Sequence, residues 1–243
     1  MAAIIELNNV SFSTQDRHIV QDFSFAFEEG KSTALVGPSG SGKSTVLKLA
    51  AGILVPAEGK VRFRGKNILS MNRQENLDFR KEAAMVFQDS ALWANQELFE
   101  ILEFPLLIHF PKMSAPERTK RIREVLDIVG YRRDLSIRPS KLSMGEQKLI
   151  AFARALMCQP GLLFLDEWTE SLDDSAGQRL VQLVQRHQNE QKTVIFVSHD
   201  FRIIRNLADY IIMIVDGKLS SSASREQMEE DEELAMHIEF GIA

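Results

Sequence analysis

Gly37-Pro38-Ser39-Gly40-Ser41-Gly42-Lys43-Ser44 is the stretch on which the fold turns. A short apolar run, Ser32 to Val36, leads into it. Lys43 to Ala51 follows, with Val46, Leu47 and Leu49 at helical spacing. Strand, glycine-rich loop, helix is the setting in which G-x-x-x-x-G-K-[ST] cradles phosphate. Such a loop must turn several backbone N–H groups inward, which needs glycine where φ is positive or the backbone approaches closely. The helix beginning near Lys43 adds its positive end. Lys43 is therefore expected on the β- and γ-phosphates and the Ser44 hydroxyl on Mg2+.

Working outward, Leu162-Leu163-Phe164-Leu165-Asp166-Glu167 is an apolar strand ending in two carboxylates. Asp166 is placed to hold a metal, directly or through water, and Glu167 can take a proton from attacking water. Val194 to Val197 is another apolar strand, and it ends at Ser198-His199-Asp200. In parallel α/β sheets ligands bind at that edge, so His199 is placed to touch a γ-phosphate. His18, His109, His187 and His237 have no such setting and read as structural or exposed.

The rest of the chain supports an α/β reading with a parallel core. The first thirty residues read as strands, with Phe23, Phe25 and Phe27 alternating. Short strands return from Ile53 to Leu69, and Ala83 to Phe87 reads as a buried strand. Glu97 to Tyr131 reads as helical around a loop at Pro111. Ser114 and Glu117 form a capping box there, and Ile122, Val125, Leu126 and Val129 form one apolar face. Ser143 opens a further helix, two βα units follow, and Tyr210 to Val215 reads as the last strand. Arg225 to Glu233 reads as a solvated helix or frayed end.

Composition sets the outer limits. The 243 residues carry 29 Lys+Arg against 34 Asp+Glu, a net charge of -5, which argues against a nucleic-acid partner. One cysteine, Cys158, excludes an internal disulfide and fits a reducing compartment. The N-terminus lacks the basic start of a secretory signal. Apolar runs stop short of the roughly 18 residues that span a bilayer, so any membrane role needs another spanning chain.

In this order the motifs resemble those of an ATP-binding cassette (ABC) ATPase, over residues 4 to 218. Gln88, after Met85-Val86-Phe87, resembles the Q-loop. Leu142-Ser143-Met144-Gly145-Glu146 resembles the signature, usually LSGGQ. Asp166-Glu167 resembles Walker B, Ser171-Leu172-Asp173 the D-loop, and His199 the switch histidine. The resemblance implies a P-loop NTPase core with a parallel sheet, an N-terminal antiparallel β subdomain and an inserted helical subdomain. Within a single domain, 1–90 and 159–218 would form the core with the β subdomain, 91–158 the helical subdomain and 219–243 an acidic tail. ATP and Mg2+ would be the cofactors. Gly37, Pro38, Ser39, Gly40, Ser41, Gly42, Lys43, Ser44 and Thr45 would hold nucleotide, together with Ser143, Gly145 and Asp173. Ser44, Gln88 and Asp166 would face the metal, and Glu167, His199 and Gln88 would act in hydrolysis. A head-to-tail dimer is implied, with each ATP between one copy's Lys43 and the other's Ser143 and Gly145.

Departures from the family pattern are Met144 for glycine, Glu146 for glutamine, Thr14 where an adenine-stacking aromatic would fall, and Trp168 for proline. Ser143 and Glu146 also spell a capping box, so this stretch serves equally to start a helix. An added carboxylate near nucleotide is expected to slow turnover. A lone cassette without a membrane segment implies separate permease subunits, with accessory or substrate-binding subunits, at the cytoplasmic face of the inner membrane. The stretch from Ser90 to Leu106 is similar to the Mla/Mce lipid-trafficking group, while lipoprotein-release, cell-division and small-molecule transporter ATPases stay open. A non-transport cassette of the iron–sulfur assembly type also carries glutamate in its signature, but it has asparagine where this loop has Ser39.

Overall fold

The computed structural model describes residues 2–15 and 17–230. Its centre is a six-stranded sheet of β3 (Ser32–Val36), β6 (Ala83–Val86), β7 (Leu162–Asp166), β8 (Thr193–Val197), β9 (Tyr210–Val215) and β10 (Lys218–Ser224). The order is β10-β9-β3-β8-β7-β6, parallel throughout except for the edge strand β10. All five residues of β3, β7 and β8 are buried. That is why they read as continuous apolar runs, since a parallel sheet is covered on both faces. Side chains alternate between two cores. Leu162 and Phe164 pack with Phe23, Phe27 and Leu47, whereas Leu163 and Leu165 pack with Leu102, Ile122 and Phe152.

The first of these cores is roofed by an antiparallel sheet in the order β2-β1-β4-β5, formed by β1 (Ala3–Thr14), β2 (Arg17–Glu28), β4 (Glu58–Phe63) and β5 (Lys66–Asn67). Between the sheets lies α1 (Lys43–Ala50), which buries Val46, Leu47 and Leu49. The second core is covered by α3 (Leu98–His109), α4 (Ala115–Val129), α5 (Met144–Leu156) and α6 (Asp174–Asn189). Helix α4 begins at the Ser114–Glu117 capping box and buries the four apolar residues expected of it. The remaining helices are α2 (Arg73–Glu82), α7 (Phe201–Leu207) and α8 (Arg225–Glu230).

Two local expectations need correcting. Helix α2 lies in a stretch given no element, although Asn72 and Glu75 cap it reciprocally. Tyr210–Val215 is not the last strand, because β10 pairs antiparallel beside it and carries the sheet past residue 218. Of the two readings given for the tail, Arg225–Glu230 takes the helical one, while 231–233 and His237 lie outside the described residues. Among the described residues, no helix is long and apolar enough to cross a membrane.

The sheet register fixes the site. Asp166 lies opposite Val197 and Leu35 opposite Val197 on its other side, so β3, β7 and β8 end together. The glycine loop, Glu167 and Ser198-His199 therefore leave one sheet edge side by side, where parallel α/β folds take ligands.

Candidate active site

The loop from β3 to α1 is held open by backbone conformation. Gly37 has φ 139°, and a Cβ there would meet the Ile214 carbonyl oxygen at 2.1 Å, so glycine is required by β9 as well as by φ. Gly40 has φ 74° with nothing within 4 Å of an added Cβ, and its surroundings are free for a ligand. Gly42 is the residue before α1 and supplies no side-chain cap, so the first-turn N–H groups of Lys43, Ser44 and Thr45 are left for something else to bind. Pro38 and Ser39 are exposed at the loop tip, and Ser41 is buried.

Around this loop the structure gathers Lys43, Ser44, Asp166, Glu167 and His199. Lys43 Nζ is buried and donates to the Gly37 and Pro38 carbonyls at 2.7 and 2.8 Å. Ser44 Oγ donates to Asp166 Oδ1 at 2.7 Å. His199, half exposed, sets Nε2 3.2 Å from Glu167 Oε1, though not in hydrogen-bond alignment. Burial pushes the Asp166 carboxyl above its ordinary pKa, against the opposing pull of the Ser44 bond. Burial also raises Glu167, with the His199 charge opposing. It lowers Lys43, which Glu167 and Asp166 partly offset.

Buried polar atoms are ordinarily paired. Here Ser41 Oγ, Asp166 Oδ2 and Glu167 Oε1 are buried without a hydrogen-bond partner. Three such atoms beside an uncapped helix end fit a polar ligand carrying both phosphate and a cation. The Ser44 hydroxyl and Asp166 carboxylate are hard oxygen donors of the kind Mg2+ takes together with phosphate oxygens. Among the described residues no cluster of three His, Cys, Asp or Glu could hold a metal unaided.

The other expected residues stand apart from this cluster. Gln88 is exposed and donates through Nε2 to Glu170 Oε2 at 3.2 Å. Ser143 caps α5: its Oγ accepts from Glu146 N at 3.2 Å, and its own N–H donates to Glu146 Oε2 at 2.8 Å. Glu146 is further bound by Arg133 at 2.7 Å, and that guanidinium holds its carboxyl below the usual range. Gly145 packs where a Cβ would sit 2.9 Å from the Ser171 carbonyl oxygen. Asp173 caps α6, accepting from Ala176 N and Ser175 Oγ.

Trp168, which stands where the family has proline, is fully buried against Phe152 with ring centroids 5.8 Å apart. It fills the space under α5 that a smaller residue would leave empty. Phe12 is partly buried against the core, leaving exposed Thr14 at the edge of the β subdomain. Two residues next to the site were not expected, Lys148 and Arg154 on α5. The signal for Lys148 was its place four and seven residues before buried Phe152 and Ala155, on the inward stripe of the helix.

Comparison with known proteins identifies the family. The family model for "ABC transporter" matches residues 20–170. The Haemophilus influenzae protein "Intermembrane phospholipid transport system ATP-binding protein MlaF" is 34% identical, covering 95% of this chain and 88% of its own. The Listeria monocytogenes "Glycine betaine/carnitine transport ATP-binding protein GbuA" is also 34% identical, covering 86% of this chain but 53% of its own. A dimeric ATP-binding cassette solved in a post-hydrolysis state with ADP and Pi matches with TM-score 0.83 and 29% identity, over 91% of this chain and 98% of that one.

Proposed function

The chain belongs to the ABC transporter family as an ATP-binding, ATP-hydrolysing subunit, and from that premise we propose that it powers phospholipid movement between membranes from the cytoplasmic face of the inner membrane. The observation that carries the membrane role is an exposed aromatic pair. Trp93 and Phe104 are each 47% exposed and meet edge to face at 5.2 Å, with Leu107 and Ile108 also exposed nearby. A patch of this kind, next to the Gln88 loop, is a docking surface for an apolar partner segment, here a helix of an integral-membrane permease. The lipid branch rests on the similarity to MlaF over most of both chains. The equal identity to GbuA favours a second reading, a small-solute transporter.

In the proposed cycle Lys43 exchanges its loop carbonyls for the β- and γ-phosphates of ATP, and the open N–H groups of α1 receive phosphate oxygens. Ser44 and Asp166, with Gln88 swung in from Glu170, would hold Mg2+, which when bound offsets phosphate charge during transfer. Glu167 accepts the proton of the attacking water, and His199 beside it faces the γ-phosphate. A second copy, docked head to tail, brings its Ser143, Gly145 and Asp173 to the same nucleotide. Accessory or substrate-binding subunits complete the transporter.

Three measurements test this reading. Glu167→Gln should keep ATP binding and lose about a hundredfold or more in hydrolysis; parent turnover overturns the general-base role. The parent's rate should also fall at acid pH on a limb above the ordinary carboxylate range, because burial raises Glu167 and the base must be ionised. Purification from detergent-solubilised membranes should recover a polytopic permease with phospholipid. Recovery of soluble partners alone would falsify the transport reading, and a permease that takes small solutes would move it to the second branch.

A further inference from the structure

Helix α5 starts at Ser143 and carries two inward-facing cations that grip backbone far away in sequence. Lys148 is 3% exposed. Its Nζ donates to the carbonyls of Phe87 (3.4 Å), Gln88 and Glu167 (3.3 Å), so all three ammonium donors end on main chain. One turn and a half further on, Arg154 donates to the Ser90 and Ala91 carbonyls at 3.1 and 2.6 Å. The gripped backbone is unusual. Glu167, Ser90 and Ala91 have φ of 43°, 63° and 45°, in the left-handed region that non-glycine residues rarely adopt. Such conformations persist only where the surroundings over-determine them.

Burying an ammonium is unfavourable unless its hydrogen bonds are met, and here three main-chain carbonyls meet them. What an apolar residue lacks is the ability to tie two separate loops to one point. We propose that Lys148 is a positioning residue that fastens the Gln88 loop and the Glu167 backbone to the signature helix, so that Glu167 is aimed at its water only while α5 is seated. Movement of the helical layer is thereby transmitted to Glu167 and Gln88 together. The inference rests on the role given above to Glu167.

The test compares Lys148→Met and Lys148→Gln with the parent in the full chain, with Glu167→Gln alongside. Misplacing a catalytic group slightly costs between about tenfold and a hundredfold in rate, so kcat for ATP hydrolysis should fall by at least about tenfold while KM for ATP stays within about threefold. In the nucleotide-free protein, amide hydrogen exchange across residues 87–91 and 166–170 should speed up, while exchange in the glycine loop stays as in the parent. If Lys148→Met fails to fold, Lys148→Gln, which retains a donor for one carbonyl, decides. Parent-like kcat, or parent-like exchange in both segments, overturns the inference. If Glu167→Gln itself keeps parent turnover, the hydrolysis reading fails instead, whatever Lys148 variants do.

Discussion

Two helix N-termini in this molecule are assigned to phosphate, and they are built in opposite ways. Helix α1 begins after Gly42, in the left-handed conformation and without a side-chain cap. Helix α5 begins after Ser143 with a complete capping box, in which Glu146 N donates to Ser143 Oγ and Ser143 N to Glu146 Oε2. An uncapped helix end is less stable on its own, by about 1 kcal/mol for a lost cap, and it leaves several N–H groups to a ligand. A capped end is more stable without ligand and offers fewer donors: the Ser143 hydroxyl, the N–H groups of Met144 and Gly145, and the dipole. The first end is therefore a receptor and the second a largely finished surface, suited to meet a nucleotide already bound elsewhere. Each prediction that follows alters one end and asks whether the other notices.

The largest effect is expected at the open end. Gly37→Ala places a Cβ 2.1 Å from the Ile214 carbonyl oxygen at φ 139°. Backbone cannot swing aside as a side chain can, so the loop must move off β9. Overpacking and left-handed strain each cost about 1–3 kcal/mol, and chemical denaturation should show a loss of that order with ATP binding abolished. Gly40→Ala is the control: an added Cβ meets nothing within 4 Å, so only the strain of φ 74° remains, about 1 kcal/mol. Equal effects of the two substitutions would show that the Ile214 contact does not decide the loop's shape.

At the capped end the effect should be smaller and should divide differently. Ser143→Ala removes the acceptor for Glu146 N and should lower stability by about 1 kcal/mol. ATP binding to a single copy, measured by fluorescence titration at low protein concentration, should stay at the parent value because Lys43 and α1 are untouched. Hydrolysis, which in the proposed cycle needs the second copy's Ser143, should fall by about tenfold. Weakened binding by the single copy would mean that α5 serves its own chain's nucleotide, and the contrast between the two ends would collapse.

How legible each part was in sequence follows from what kind of atom does the work. The open end was fully readable, because glycine, lysine and serine at fixed offsets are required locally by the turn and its ligand. Asp166 and Glu167 were readable because four apolar residues set them at a strand end. Lys148 was not, since its acceptors are main-chain carbonyls 60 and 19 residues away, which any residue type supplies. Strand β10, Lys-Leu-Ser-Ser-Ser-Ala-Ser, was missed because an antiparallel edge needs little apolar content, and one buried residue, Ala223, suffices. Helix α2 hides for a similar reason, burying only Phe79 among charged neighbours. The pairing of Glu146 with Arg133 was not legible either, because the two stand 13 residues apart, in α5 and on the loop after α4, and meet only in the fold.

The smallest effect is expected at the Glu146–Arg133 pair. Glu146 Oε2 accepts from Ser143 N while Oε1 takes the Arg133 guanidinium, so the negative charge that the capped end adds is answered within its own chain. An exposed ion pair contributes little to stability, and neither Glu146→Gln nor Arg133→Ala should shift the unfolding midpoint appreciably. The consequence should instead be electrostatic and should concern ATP. Arg133→Ala leaves the carboxylate uncompensated where a second copy's triphosphate must approach, and KM for ATP should rise by about two- to threefold, more at low salt than at high. Glu146→Gln keeps the oxygen that caps Ser143 and removes the charge, so in the Arg133→Ala background it should return KM to the parent value. The pair is thus expected to be non-additive in KM and additive in stability. If Arg133→Ala raises KM and Glu146→Gln does not restore it, Arg133 itself reaches the phosphates, and the capped end is a receptor after all.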